Sequence, residues 1–158
     1  ELEQQHLVIN ANAQSALDEL LSSNEGARAL YEQAYGYAVF GVTKVGFLVS
    51  GGSGTGVAVN KATGERVYIR MVTGGLGFSI GAQAYDLLAF FESEPAIYAF
   101  MNGGWDSSVT AQAAAGQEGA TVTSSFVNGV VFYQITDRGL MVAADISGTR
   151  FWVPESLN

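Results

Sequence analysis

Residues 35–86 read YGYAVFGVTKVGFLVSGGSGTGVAVNKATGERVYIRMVTGGLGFSIGAQAYD, glycines set among β-branched and aromatic residues, with almost no acid before the closing Asp86. Glycine weakens a strand interior, so a run this rich in it implies bulges, tight bends or close backbone approach. The block therefore predicts bent, closely packed β-structure. The chain as a whole holds 20 glycines in 158 residues, well above the usual share of about 7%.

The residues flanking this block predict helices. Asn10 or Asn12 can cap a helix running to about Leu21, with Ala13, Ala16, Leu17, Leu20 and Leu21 at helical spacing. Ser22-Ser23-Asn24 breaks this pattern and can cap a second helix to about Ala34, with Glu25 in its first turn, where a negative charge is favoured. Within the block, the clearest hairpin joins 55–59 to 66–72 through Asn60-Lys-Ala-Thr-Gly64. Residues 85–92 hold the apolar run Leu87, Leu88, Phe90 and Phe91 and predict a helix. Ser93 caps the next one, with Glu94 and Pro95 in its first turn and Asn102-Gly103-Gly104 at its end. Strands follow near 121–127, 130–136, 140–146 and 149–153, separated by Asn128-Gly129, Asp137-Arg-Gly139 and Ser147-Gly148. Both faces of 130–136 are apolar, as in a strand covered on two sides.

The expected class is α+β: a mostly antiparallel, barrel-like or sandwich β-structure packed by an N-terminal helix pair and a central helix pair. It spans 1–158 as one domain, with 1–34 helical, 35–158 the β core, and the central helices near 84–102.

Composition narrows the function. The net charge is −8, from 15 acids against 7 bases, which argues against nucleic acid, whose phosphates demand a basic surface. No cysteine is present, so disulfide, thiolate and zinc-thiolate chemistry is excluded. The single histidine, His6, lies in a polar stretch and reads as a solvated tail residue. A serine triad would have to recruit it, and no GxSxG elbow is present. Gly75-Leu-Gly77-Phe-Ser-Ile-Gly81 is one residue off the dinucleotide fingerprint, and the glycines at 51–56 have no lysine after them. Glu92 and Glu94 read as solvation and capping. Asp86, where the glycine block meets the expected helix, is the candidate functional acid, against a simpler reading as an N-terminal helix acid. Lys44 and Lys61 read as solvated turn residues. Arg66, Tyr68 and Arg70 share one face of an extended strand, the arginines roughly 13 Å apart, and could receive an anionic head group. A solvated hairpin face is the plainer alternative. The expectation is no enzyme, no cofactor and no metal.

The chain resembles the SYLF domain family from about Ala27 to Trp152. Ala29-Leu-Tyr-Glu-Gln-Ala-Tyr-Gly-Tyr-Ala-Val-Phe40 looks like the family's opening helix-to-strand passage, and residues 46–59 like its glycine-rich hairpin. Gly77-Phe-Ser-Ile-Gly-Ala-Gln-Ala-Tyr-Asp86 is similar to its G-x-x-x-G-x-Q-x-x-D segment, and Gly139-Leu-Met-Val-Ala-Ala-Asp-Ile-Ser-Gly148 to its closing strand pair. Two departures stand out. Gly116-Gln-Glu-Gly119 replaces a frequent Gly-Pro-x-Gly, and residues 1–25 carry five acids and no lysine or arginine, unlike the basic N-terminal segment of eukaryotic members.

The resemblance implies a non-catalytic, membrane-associated module that binds lipid. Eukaryotic members bind phosphoinositides, fungal ones also actin, and bacterial ones are commonly lipoproteins of the cell envelope. The bacterial type is expected here, on the periplasmic side, with a lipoprotein cysteine just ahead of Glu1 as a fitting anchor and the cytoplasm as the alternative location. Lys44, Phe47, Arg66, Tyr68 and Arg70 are the expected lipid contacts. An envelope structural or protein-interaction module, a carboxylate enzyme using Asp86, and an actin binder are the alternatives.

Overall fold

A computed structural model describes residues 1–44, 51–73, 84–103, 126, 129–136, 139–142 and 149–158. Helix α1 (Leu2–Ser23) is followed directly by α2 (Glu25–Gln33). Strands β1 (Gly36–Lys44), β2 (Gly52–Asn60), β3 (Arg66–Thr73) and β4 (Ala84–Phe91) come next, then helix α3 (Glu94–Met101). Strands β5 (Val130–Thr136), β6 (Gly139–Val142) and β7 (Thr149–Trp152) precede a closing 3-10 turn, Glu155–Leu157. The seven strands form one antiparallel sheet in the order β6-β5-β4-β1-β2-β3-β7. The mostly antiparallel α+β class read from the sequence is the one observed.

The sheet is curled, and the chain length requires it. Edge strands β6 and β7 are joined by the seven Cα steps from Val142 to Thr149, which reach at most ~25 Å. A flat sheet of seven strands would hold its edges ~29 Å apart.

Each face of the sheet carries its own core. Tyr37, Val39, Val57, Val59, Leu88, Phe90 and Tyr133 pack under α1 and α2, meeting Ala13, Ala16, Leu17, Leu20, Ala27 and Leu30. Phe40, Val42, Ile69, Met71, Leu87, Phe91 and Phe132 pack on the other face against Ile97, Phe100 and Met101 of α3. A sheet covered on both faces has strands that read as continuous apolar runs. This explains the one misassigned element: residues 84–91 form β4, not a helix. The segment Ala84-Tyr-Asp-Leu-Leu-Ala-Phe-Phe91 sends Leu88 and Phe90 to one core and Leu87, Ala89 and Phe91 to the other. The central helix pair is therefore a strand followed by α3.

The locally encoded features hold. Asn24 accepts from the Ala27 N–H at 2.8 Å and caps α2, and Ser93 accepts from the Ala96 N–H at 3.3 Å and caps α3. The hairpin loop closes at Gly64 with φ +79°. Replacing Asn24 with Ala should lower stability by about 1 kcal/mol, read as a lower urea midpoint with unchanged slope.

Helix α1 begins at Leu2 rather than near Asn10. Its first turns show little apolar pattern because Leu7 and Val8 are exposed; polar tertiary contacts hold them. Of the strand expected at 121–127 only Phe126 is described, and of that at 140–146 only 140–142, which belong to β6; the glycine run 75–81 and the segment 105–119 lie outside the described residues.

Candidate groove beside the first helix

The N-terminal half of α1 is clamped onto β3 by one histidine and two asparagines. His6 stacks on Tyr68, ring centroids 3.7 Å apart and planes within 6°, and its Nε2 donates to the Leu157 carbonyl at 2.6 Å. Asn10 donates from Nδ2 to the Tyr68 hydroxyl at 3.0 Å and accepts from Arg66 Nη1 at 3.1 Å. Asn158 fixes the other side of the clamp: it accepts the Tyr68 N–H at 2.8 Å and donates to the Tyr68 carbonyl at 2.7 Å. His6 is thus a half-buried bridging residue and not a solvated tail residue. Nothing local announces this, because its partners lie 62 and 151 residues away in sequence.

Beyond Val39, toward the far strand ends, the α1 face of the sheet turns small and polar. Gly41 and Thr43 of β1, Ser53 and Thr55 of β2, Arg70 of β3 and Asp86 of β4 leave space that α1 does not fill. The result is an open groove of about 500 Å³, lined on the helix side by Val8, Ile9 and Asn12. A second hollow of about 340 Å³ shares Gly41, Thr43 and Asp86 with it and reaches Glu19. Helix positions 5, 8, 12 and 19 fall on one side of a 3.6-residue period, so both hollows lie along the same flank of α1.

Strand pairing sets Arg70, Thr55, Gly41 and Asp86 in one row on this face. Trp152 of β7 pairs with Arg70 and extends the row, while Arg150 pairs with Val72 beside it. Arg70, Val72, Arg150 and Trp152 are all exposed.

Asp86 is half-buried in β4, not at the start of a helix. Desolvation, and then the charge of Glu19, raise its pKa above the usual carboxylate value. A carboxyl whose folded pKa is raised binds its proton more tightly in the folded state. Its unfavourable contribution is absent below the unfolded value near 3.8 and grows as pH rises from there through the folded pKa. Asp86→Asn should therefore raise stability at pH 7 and leave it nearly unchanged at pH 3. Urea midpoints of both proteins at the two pH values test this, and an equal difference at both would refute it.

The residues expected to contact lipid are placed as follows. Arg66, Tyr68 and Arg70 do share one face, as strand alternation requires. However, Tyr68 is 7% exposed beneath α1, so it cannot stand at a membrane surface with the helix in place. Arg66 is exposed and tied to Asn10. Arg70 opens onto the groove. Lys44 is the last residue of β1, paired with Gly52, and not a turn residue; Phe47 lies outside the described residues. Lys61 is half-buried instead of solvated: it donates to the Tyr31 carbonyl and sits 4.0 Å from the centre of the Tyr31 ring. Gly41 and Thr55, which form the groove floor, were not singled out by sequence, because a glycine in a glycine-rich block carries no mark of its own.

A curled antiparallel sheet clasped between helices, with an amphipathic groove along α1, defines the class of this α+β domain. A family model described as "Ysc84: Las17-binding protein actin regulator" matches residues 72–158, just over half the chain. The chain belongs to this family, the SYLF family, as its motifs indicated. It is 36% identical over 151 residues to beta cell expansion factor A of Aeromonas veronii, covering 96% of this chain and 58% of that protein. It is 37% identical over 76 residues to SH3 domain-containing YSC84-like protein 1 of Xenopus laevis, covering 46% of this chain and 23% of that one. The chain therefore spans little more than half the length of the first relative and about a quarter of the second.

Proposed function

We propose that this chain is a non-catalytic lipid-binding module that works at a membrane of the bacterial cell envelope, on its periplasmic side, and takes lipid into the groove beside α1. The observation that carries this reading is the groove's two-sided lining. Val8, Ile9, Val39 and Leu157 offer apolar surface, and Arg70 offers a cation at one end. Its size of about 500 Å³ falls within the ~300–1,000 Å³ common for small-molecule sites. The non-enzymatic names of the relatives support the absence of catalysis. Among the described residues no helix is long and apolar enough to cross a membrane.

The test is vesicle flotation of the wild-type chain against Gly41→Phe, which fills the groove. A wild type that floats and a folded variant that does not would support the reading. Flotation of neither would favour the second reading, an envelope protein-interaction module. That alternative draws support from the family description of an actin regulator that binds Las17 and from the exposed Tyr98 and Trp152. Asp86, with a raised pKa in a cleft, meets one condition for a general acid, and it is the residue on which a carboxylate-enzyme reading rests.

A further inference from the structure

The row Arg70–Thr55–Gly41–Asp86 carries opposite charges at its ends, and both ends line one groove. Neither Arg70 nor Asp86 makes an ion pair or hydrogen bond with another described residue. Their Cα atoms stand three strand spacings apart, about 14 Å along the sheet. Between them the floor is nearly bare: a Cβ added at Gly41 would meet only Asp86 Oδ1, at 4.0 Å, and Thr55 presents a single hydroxyl. An ion pair would close such a row if the two side chains served each other. They stand apart instead, and a half-buried charge without a partner is unfavourable.

We propose that this groove is a dipolar site for a zwitterionic phospholipid head group, with the phosphate on Arg70 and a primary ammonium on Asp86. The assignment rests on the lipid-binding reading above and names the lipid class for it. The guanidinium is suited to phosphate, which it can engage with two parallel hydrogen bonds. Acceptors gather at the other end, where the Thr43 hydroxyl and the Glu19 carboxylate share the adjoining hollow with Asp86. An ammonium with three N–H donors matches them, whereas a quaternary ammonium is held by an aromatic cage. Val8, Ile9 and Val39 give the glycerol and first methylenes an apolar path along α1. The raised pKa of Asp86 agrees with this assignment: a lone negative charge is disfavoured there, and a bound ammonium would relieve it.

The test uses the full chain in flotation on phosphatidylcholine vesicles doped with either phosphatidylethanolamine or phosphatidylglycerol, at physiological salt. Phosphatidylethanolamine vesicles should carry the wild type best. Asp86→Asn should lose roughly tenfold in affinity for them, as expected for a charge-assisted hydrogen bond, and keep its binding to phosphatidylglycerol. Arg70→Gln should weaken both. Titration of the wild type with glycerophosphoethanolamine should shift the amide resonances of Gly41 and Thr55, a readout that needs neither a variant nor a membrane. Equal binding to the two doped vesicles, a preference for phosphatidylglycerol, or an undiminished phosphatidylethanolamine preference in folded Asp86→Asn would overturn the dipolar site and leave the lipid reading standing. No flotation on any vesicle, together with no resonance shift, would overturn both.

Discussion

Gly56→Ala should destabilise the protein by about 3 kcal/mol or more, the upper range for overpacking a filled core, and lower its melting temperature by about 6–12 °C. Gly56 lies in β2 opposite Phe40 of β1. A Cβ there would stand 2.1 Å from the Val39 carbonyl oxygen and 2.5 Å from Phe40 Cδ1. The Phe40 ring cannot simply move aside. It is fully buried, and it meets Phe151 at 5.2 Å and Phe100 at 6.1 Å between ring centroids. The strand cannot shift either, since β2 is paired along its length with β1 on one side and β3 on the other. Glycine at 56 therefore lets a ring from β1 lie across β2 and join the cluster beneath α3. Urea denaturation measures the effect, and a change within about 0.5 kcal/mol, the range of an ordinary surface substitution, would show that this packing is not needed.

Gly41→Phe should do the opposite: keep or raise stability while abolishing lipid association. Gly41 lies one row from the core on the α1 face, exposed, with open space where a side chain would project. An aromatic residue suits a strand better than glycine does, by up to ~1 kcal/mol. Its ring would occupy the floor between Thr55 and Asp86 and close the groove to a ligand. The expected result is a melting temperature at or above that of the wild type, with the vesicle-bound fraction reduced to background. Gly41→Ala, which leaves most of the space open, should retain binding. A stable Gly41→Phe protein that floats like the wild type would remove the groove from the lipid reading. The two glycines thus separate fold from function: one faces a packed ring, the other faces an empty trench.

Local chemistry was legible in this chain wherever the signal and its structural effect lie within a few residues. Asn24 and Ser93 cap their helices, Gly64 closes its hairpin, and the alternation of Arg66, Tyr68 and Arg70 puts them on one face. The failures share one cause. Residues 84–91 are apolar at nearly every position, so they show neither a helical period nor a strand period, and length alone did not decide between them. Only the presence of helices on both sides of the sheet makes this run a strand. Likewise the first turns of α1 are polar, and only Tyr68 and Leu157 turn His6 into an anchor.

The candidate site divides the same way. Sequence by itself determined that this chain is an acidic, cysteine-free, glycine-rich α+β protein of the SYLF family, with Arg70 and Asp86 among its few notable charged residues. It did not bring those two together, because they sit on β3 and β4, strands separated by β2 and β1 in the sheet. That juxtaposition was decided by strand order, which sets the row, and by the docking of α1, which covers Tyr68 and leaves the ends of the row open. Strand order depends on which apolar surfaces find each other across the whole chain, and no local pattern encodes it.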